Sequence, residues 1–215
     1  MSANSYDQLS AGRRCPGCVV GIAGPSGSGK SALAENLARR FDGRSVIVRQ
    51  DWYYKDLSHL PAEKREEVNF DRPEALEWSE LVRDLKSLKA GRPVDVPVYD
   101  FPTHTRAGAL RRLEPQPLVI VEGILIFHPP ELRREMDYKV YLDVADDIRF
   151  IRRLQRDMKE RGRTVESIIR QYLETVRPMY ERFVRPTSAF ADTCLNTSGP
   201  VDFKPVEERV RVLLA

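Results

Sequence analysis

Eight residues constrain this chain more than any others: Gly24-Pro-Ser-Gly-Ser-Gly-Lys30-Ser31 sets a glycine, four residues, a second glycine, a lysine and a serine in unbroken succession. Before it runs a short apolar stretch, Cys18 to Ala23. After it comes an amphipathic segment, Ser31 to Arg40, with Leu33 and Leu37 four apart and Ala34 and Ala38 beside them. Strand, glycine-rich turn and helix in that order make a phosphate-binding loop. Gly24, Gly27 and Gly29, with Ser26 and Ser28 between them, let backbone N–H groups close on phosphate oxygens, and the helix adds its positive end. Lys30 is a mobile charge for the β- and γ-phosphates, and the Ser31 hydroxyl suits Mg²⁺. The motif implies that a nucleoside triphosphate binds.

The rest of the chain alternates apolar runs with amphipathic segments, the pattern of a mostly parallel sheet covered by helices. Ser45 to Arg49, Leu118 to Val121 and Lys139 to Leu142 read as further strands, and Ala191 to Asn196 as a weak last one. Pro73 suits the first turn of a helix with Leu81, Leu85 and Leu88 inward and Gly91 at its end. Asp146 to Glu160 reads as a helix with two faces. Ile148, Ile151, Leu154 and Met158 gather on one side, and Arg149, Arg152, Arg153 and Arg156 on the other. Gly162 ends it and Thr164 caps the next helix, which should kink or stop at Pro178. Phe203 to Leu214 reads as a terminal helix.

At 215 residues the chain is long enough for one sizeable core. With 41% hydrophobic and 31% charged residues it belongs with globular proteins. No stretch reaches the roughly 18 apolar residues that cross a bilayer, and the N-terminus lacks a secretory pattern, so a cytoplasmic location is the default expectation. The balance of 35 basic against 32 acidic residues gives no reason to expect a nucleic-acid partner, and no membrane partner is expected. Residues 1–17 read as an extension before a single domain at 18–215. Cys15 and Cys18 could suggest a zinc knuckle or redox pair, but no second pair of ligands stands at suitable spacing; incidental thiols are the plainer reading.

A kinase needs acids near the phosphates, to hold the metal and to take a proton from the attacking hydroxyl. Asp51 and Glu122 each end an apolar run, where open α/β sheets place their ligands; a simple surface turn is the alternative for each.

Several blocks, in order, resemble the uridine kinase (uridine–cytidine kinase) family from about Val19 to Asp192. They include the phosphate loop, Gln50-Asp-Trp-Tyr-Tyr-Lys55, Asn69-Phe-Asp71 and Pro97-Val-Tyr-Asp-Phe-Pro-Thr-His-Thr-Arg106. Val121-Glu-Gly-Ile-Leu125, Arg152-Arg-Leu-Gln-Arg-Asp157, Glu160-Arg-Gly-Arg163 and Gln171-Tyr172 follow. The resemblance implies a three-layer P-loop NTPase-type α/β fold with a mostly parallel five-stranded sheet and helices on both faces. A small β-hairpin lobe at about 94–113 and a helical lid at about 153–164 complete it.

The implied activity is transfer of a phosphoryl group from ATP (or GTP), with Mg²⁺, to the 5′-hydroxyl of uridine or cytidine. By the same resemblance Asp51 is the catalytic base and touches the metal, and Ser31 and Glu122 complete the metal site. Lys30 and Arg156 act on the transferring phosphate, with Arg161 and Arg163 forming the rest of a basic lid. Asp71 holds the ribose hydroxyls. Tyr99 and His104 read the base while Phe101 packs on it; Tyr54, Arg153 and Gln171 add nucleoside contacts. A homotetramer is implied as well.

Elementary chemistry agrees with these roles where it can speak. A carboxylate accepts both donors of a vicinal diol, and a flat pyrimidine with a polar edge suits an aromatic wall. Arginine forks suit phosphate oxygens, although charged helix faces are commonly just solvated. Trp52, Arg72, the weak strand Ala109–Leu113 and the polar run Thr193–Asn196 depart from the family pattern. Phosphoribulokinase-like and pantothenate-kinase-like acceptors, or a non-catalytic nucleotide-binding regulator, are the competing readings.

Overall fold

The computed structural model describes residues 17–215; residues 1–16, with Cys15 and nearly all of the expected extension, lie outside the described residues. Cys18 is buried with a free thiol.

Apolar runs with no polar alternation must be covered on both faces, and this chain covers them with helices. In chain order come β1 (Cys18–Ala23), α1 (Lys30–Arg40) and β2 (Ser45–Arg49), then a 3₁₀ turn at Gln50–Tyr53 and α2 (Ala62–Glu66). After a second 3₁₀ turn at Pro73–Ala75 follow α3 (Trp78–Lys89), β3 (Val94–Asp100), β4 (Thr105–Leu113), β5 (Leu118–Glu122), α4 (Pro130–Arg133), β6 (Tyr138–Asp143) and α5 (Asp146–Arg161). The winding α6 (Val165–Gln171), π turns at Tyr172–Val176 and Tyr180–Val184 around α7 (Arg177–Met179), and a 3₁₀ stretch at Arg185–Phe190 lead to β7 (Thr193–Asn196) and α8 (Lys204–Leu214).

The main sheet has the order β2-β5-β1-β6-β7, and every pairing in it is parallel. β3 and β4 form a separate antiparallel hairpin, bulged between Pro97 and Tyr99. Successive side chains of a strand alternate faces, so the sheet seeds two cores. Val20, Ile22, Leu118 and Ile120 pack with Leu33 and Leu37 of α1 and Val206 and Val210 of α8. Val19, Val119 and Val121 pack on the other face with Leu81, Leu85 and Leu88 of α3 and with Tyr180 and Val184.

One expectation is corrected. Pro73 does not open α3. Leu76 is extended and bridges to Tyr54, so the chain cannot be helical there, and Trp78 Nε1 reaches back 2.7 Å to the Pro73 carbonyl. Of the two outcomes expected at Pro178, a kink or a stop, the segment after Thr164 does not stop. Its winding widens to π form on both sides of the imino acid, which accommodates the missing N–H, and it runs on to Phe190.

The charged face of α5 holds its most buried residues, while Ile148 and Leu154 are half-buried. Arg149, Arg153 and Asp157 are the buried residues of the helix, while Ile151 and Met158 are exposed. The arginine stripe is not a solvated face.

Candidate active site

The phosphate loop is built by its neighbours as much as by its own residues. Gly27 has φ +84°, and a Cβ there would lie 2.5 Å from the Arg149 carbonyl oxygen, so the crossing of α5 over the loop needs glycine on both counts. Arg152 Nη1 reaches the Gly27 carbonyl at 3.5 Å, and the Thr197 hydroxyl, just past β7, donates to the Ser28 carbonyl at 3.0 Å. Lys30 is buried, and its ammonium donates to the Pro25 carbonyl at 2.9 Å. Burial lowers its pKa against the opposing pull of Glu122 and Asp51.

Both acids expected at strand ends stand at the carboxyl end of the sheet. Glu122, the last residue of β5, accepts from the Ser31 hydroxyl at 3.0 Å, and burial raises its pKa while Lys30 lowers it. Asp51 follows β2 in the 3₁₀ turn, and its charge is felt by Lys30, Glu122 and Asp71. Two side chains with no place in the sequence expectation fix that turn. Gln50 is fully buried, and its Oε1 accepts from the Leu125 N–H at 2.7 Å, packing where Gly123 leaves no room for a Cβ. Tyr53, also fully buried, donates to Asp84 Oδ2 at 3.1 Å. Asp84 had a legible signal, since it interrupts the inward stripe Leu81, Leu85, Leu88 of α3.

The expected nucleoside residues converge from three parts of the chain. Tyr54 lies edge-on to Phe70, and its ring centroid is 5.3 Å from that of Tyr99, which in turn meets Phe101 at 5.3 Å. His104, a non-glycine residue with positive φ (53°), stacks on Phe70 at 4.7 Å. Phe70 is the ring between His104 and Tyr54. Asp71 follows it, half-buried, with a pKa raised by burial and by Asp51 against the pull of Arg153, Arg161 and Lys30.

The residues expected in the lid meet the phosphate loop and α6. Arg153 donates to Ser26 Oγ at 3.0 Å and to Gln171 Oε1 at 2.8 Å, and Arg163 also donates to Gln171. Arg161 lies 5.9 Å over the Phe101 ring, joining lid to hairpin. Arg156 holds Asp157. A cavity of ≈ 10 Å³ behind Asp71 is lined by Pro25, Ser26, Ile124 and Arg149 among others. Gly162, left-handed at φ 62°, is the C-cap of α5.

The departures from the family pattern are local. Trp52 packs against the core with Arg111 of the hairpin 5.2 Å over its ring, and Arg72 faces Glu74 at 3.6 Å on the surface. The weak strand expected at Ala109–Leu113 is part of β4. Among the described residues no helix is long and apolar enough to cross a membrane.

This arrangement matches known proteins in fold and in sequence. The chain resembles the phosphoribulokinase from Rhodobacter spheroides with TM-score 0.66 at 18% identity, over 88% of this chain and 73% of that one. It resembles the D-glycerate 3-kinase from Cryptococcus neoformans with TM-score 0.63 at 19% identity, over 85% and 86% of the two chains. At such identities the likeness is one of fold. In sequence it is 48% identical over 199 residues to the uridine kinase of Chloroflexus aurantiacus, spanning 91% of this chain and 95% of that protein. It is 49% identical over 182 residues to that of Geobacillus kaustophilus, spanning 84% and 86%. The model of the phosphoribulokinase / uridine kinase family matches residues 19–203, and with a phosphate loop, strand-end acids and an arginine lid in one site, this chain belongs to that family of ATP-using kinases.

Proposed function

We propose that this protein transfers the γ-phosphoryl group of ATP to the 5′-hydroxyl of uridine or cytidine, a step of pyrimidine salvage. The observation that carries the reading is the convergence of Tyr99, Phe101, His104, Tyr54 and Phe70 into one aromatic cluster, next to Asp71 and on the acid side of the phosphate loop. Uridine kinase relatives at 48–49% identity over most of the chain support it. The acceptor is the finer part of the reading: a phosphoribulokinase-like or pantothenate-kinase-like acceptor would have little use for an aromatic wall.

In this reading Asp51, fixed by Gln50 on one side and Tyr53 on the other, accepts the proton of the attacking hydroxyl. Lys30 leaves the Pro25 carbonyl for the phosphates, and the backbone N–H groups from Gly24 to Ser31 cradle them, with the Ser26 and Ser28 side chains alongside. Arg156, Arg161 and Arg163 set guanidinium forks around charge that spreads over the equatorial oxygens. Asp71 accepts from the ribose diol, Tyr99 and His104 meet the polar edge of the base, Phe101 its face, and Arg153 and Gln171 the nucleoside as the lid reforms over it. Excluding water at that moment keeps the phosphoryl group from hydrolysis.

Mg²⁺ fits the donor set present. Among the described residues no group of three or more His, Cys, Asp or Glu forms a cage, but Mg²⁺ in kinases takes one or two carboxylates plus substrate phosphates and water. Ser31, Glu122 and Asp51 supply the protein's share. The ion would neutralise charge on the phosphate oxygens and fix their geometry. We further propose that the chain works as a homo-oligomer, a tetramer by family resemblance, in the cytoplasm, with 18–215 as its single kinase domain.

Initial rates with uridine, cytidine, ribulose 5-phosphate and pantothenate at saturating ATP test the reading. Turnover of a pyrimidine nucleoside above the other two is expected; no turnover of either nucleoside overturns it.

A further inference from the structure

The buried stripe of α5 reads Arg149, Arg153, Asp157, one residue per turn, and Asp157 has no exposed surface. A carboxylate so placed is costly unless it is well paired. Its Oδ1 accepts from Arg156 Nε at 2.9 Å and Nη2 at 2.7 Å, with Arg161 Nε 3.7 Å away. Its Oδ2 faces Arg153 Nε at 3.5 Å and Arg163 Nη1 at 3.9 Å. The backbone carbonyl of Asp157 accepts from the N–H of Gly162 and, at 3.2 Å, from that of Arg163. One residue thus gathers guanidiniums from both sides of Gly162 and closes the helix cap itself.

Those four arginines are the ones expected over the nucleoside and the triphosphate. Four like charges at this range repel, and a single carboxylate at their centre offsets the repulsion while its Oδ1 holds the Arg156 fork directly. Arginine helps phosphoryl transfer only if it is oriented before the transition-state charge develops.

We propose that Asp157 is a positioning residue for phosphoryl transfer, the hub that holds Arg153, Arg156, Arg161 and Arg163 in register over the phosphate loop. The proposal rests on the transferase reading above.

Charge arithmetic separates this role from a merely structural one. Removing the carboxylate makes the cluster more positive, so ground-state attraction for ATP is kept or strengthened, while the aim of the forks is lost. Asp157→Asn in the full chain is compared with wild type, using the nucleoside that wild type phosphorylates. We expect kcat to fall roughly 10–100-fold with ATP Kd within about threefold of wild type, the effect of misplacing groups by about an ångström. Thermal unfolding first establishes that the variant folds. If it does not, Asp157→Glu keeps the charge and shifts it by one methylene, and the same split is expected, with kcat down at least about fivefold. Wild-type kcat in whichever variant folds, or ATP affinity falling in step with kcat, overturns the proposal. A wild-type protein inert on every acceptor overturns the transferase reading, and this proposal with it, before any variant is made.

Discussion

The Ser31 hydroxyl donates to Glu122 Oε1 across 3.0 Å, tying the first turn of α1 to the last residue of β5. These two groups sit together at the carboxyl end of the sheet, and each is a candidate oxygen for Mg²⁺. Glu122→Gln removes the negative charge without changing shape. We expect the free Mg²⁺ needed for half-maximal rate to rise by about tenfold or more, read from initial rates against Mg²⁺ concentration. An unchanged Mg²⁺ requirement would remove Glu122 from the metal site.

Asp51→Asn keeps the shape of the turn and abolishes the base. Turnover should fall roughly 10²–10⁴-fold while ATP affinity is retained, measured by single-turnover rates and nucleotide titration. Surviving turnover would mean that another group takes the proton.

Asp71 predicts a trade between stability and function. Burial raises its pKa, so the folded state holds the proton more tightly than the unfolded one. The resulting penalty is absent below the ordinary value of 3.8 and grows as pH rises through the folded value. At pH 7 Asp71→Asn should therefore melt at a higher temperature than wild type and lose nucleoside binding, with the difference in melting temperature shrinking towards acid pH. A lower melting temperature at pH 7 would show that the pull of Arg153 outweighs burial.

Tyr53 and Asp84 anchor the turn that carries Asp51. Tyr53→Phe leaves a buried carboxylate short of one donor, with Arg83 Nη2 still 3.0 Å from its other oxygen. A loss of about 1–2 kcal/mol in urea unfolding is expected. A neutral result would mean that Arg83 alone satisfies Asp84.

Much of the site was legible because its signals are local. The phosphate loop needs only its own eight residues and the strand and helix around them. Asp51 and Glu122 were readable because apolar runs end at them, and strand ends are where such sheets bind ligands. Asp84 could have been read as a charge inside an apolar stripe. Gln50 could not, because its partner Leu125 belongs to a separate element, and of the arginines around Asp157 only Arg163, past Gly162, lies outside its own helix.

The sequence by itself determined the parallel sheet, the triphosphate loop, the acids and the presence of two faces on α5. Only the tertiary structure decided which face turned inward, because periodicity is blind to what lies opposite a helix. Here the phosphate loop lies opposite, pressed against Arg149 at Gly27, so the charged stripe is the buried one and Ile151 and Met158 face out. The closure of Arg153 onto Ser26 and Gln171 was likewise decided by contacts between residues far apart in the chain, which no local spacing records.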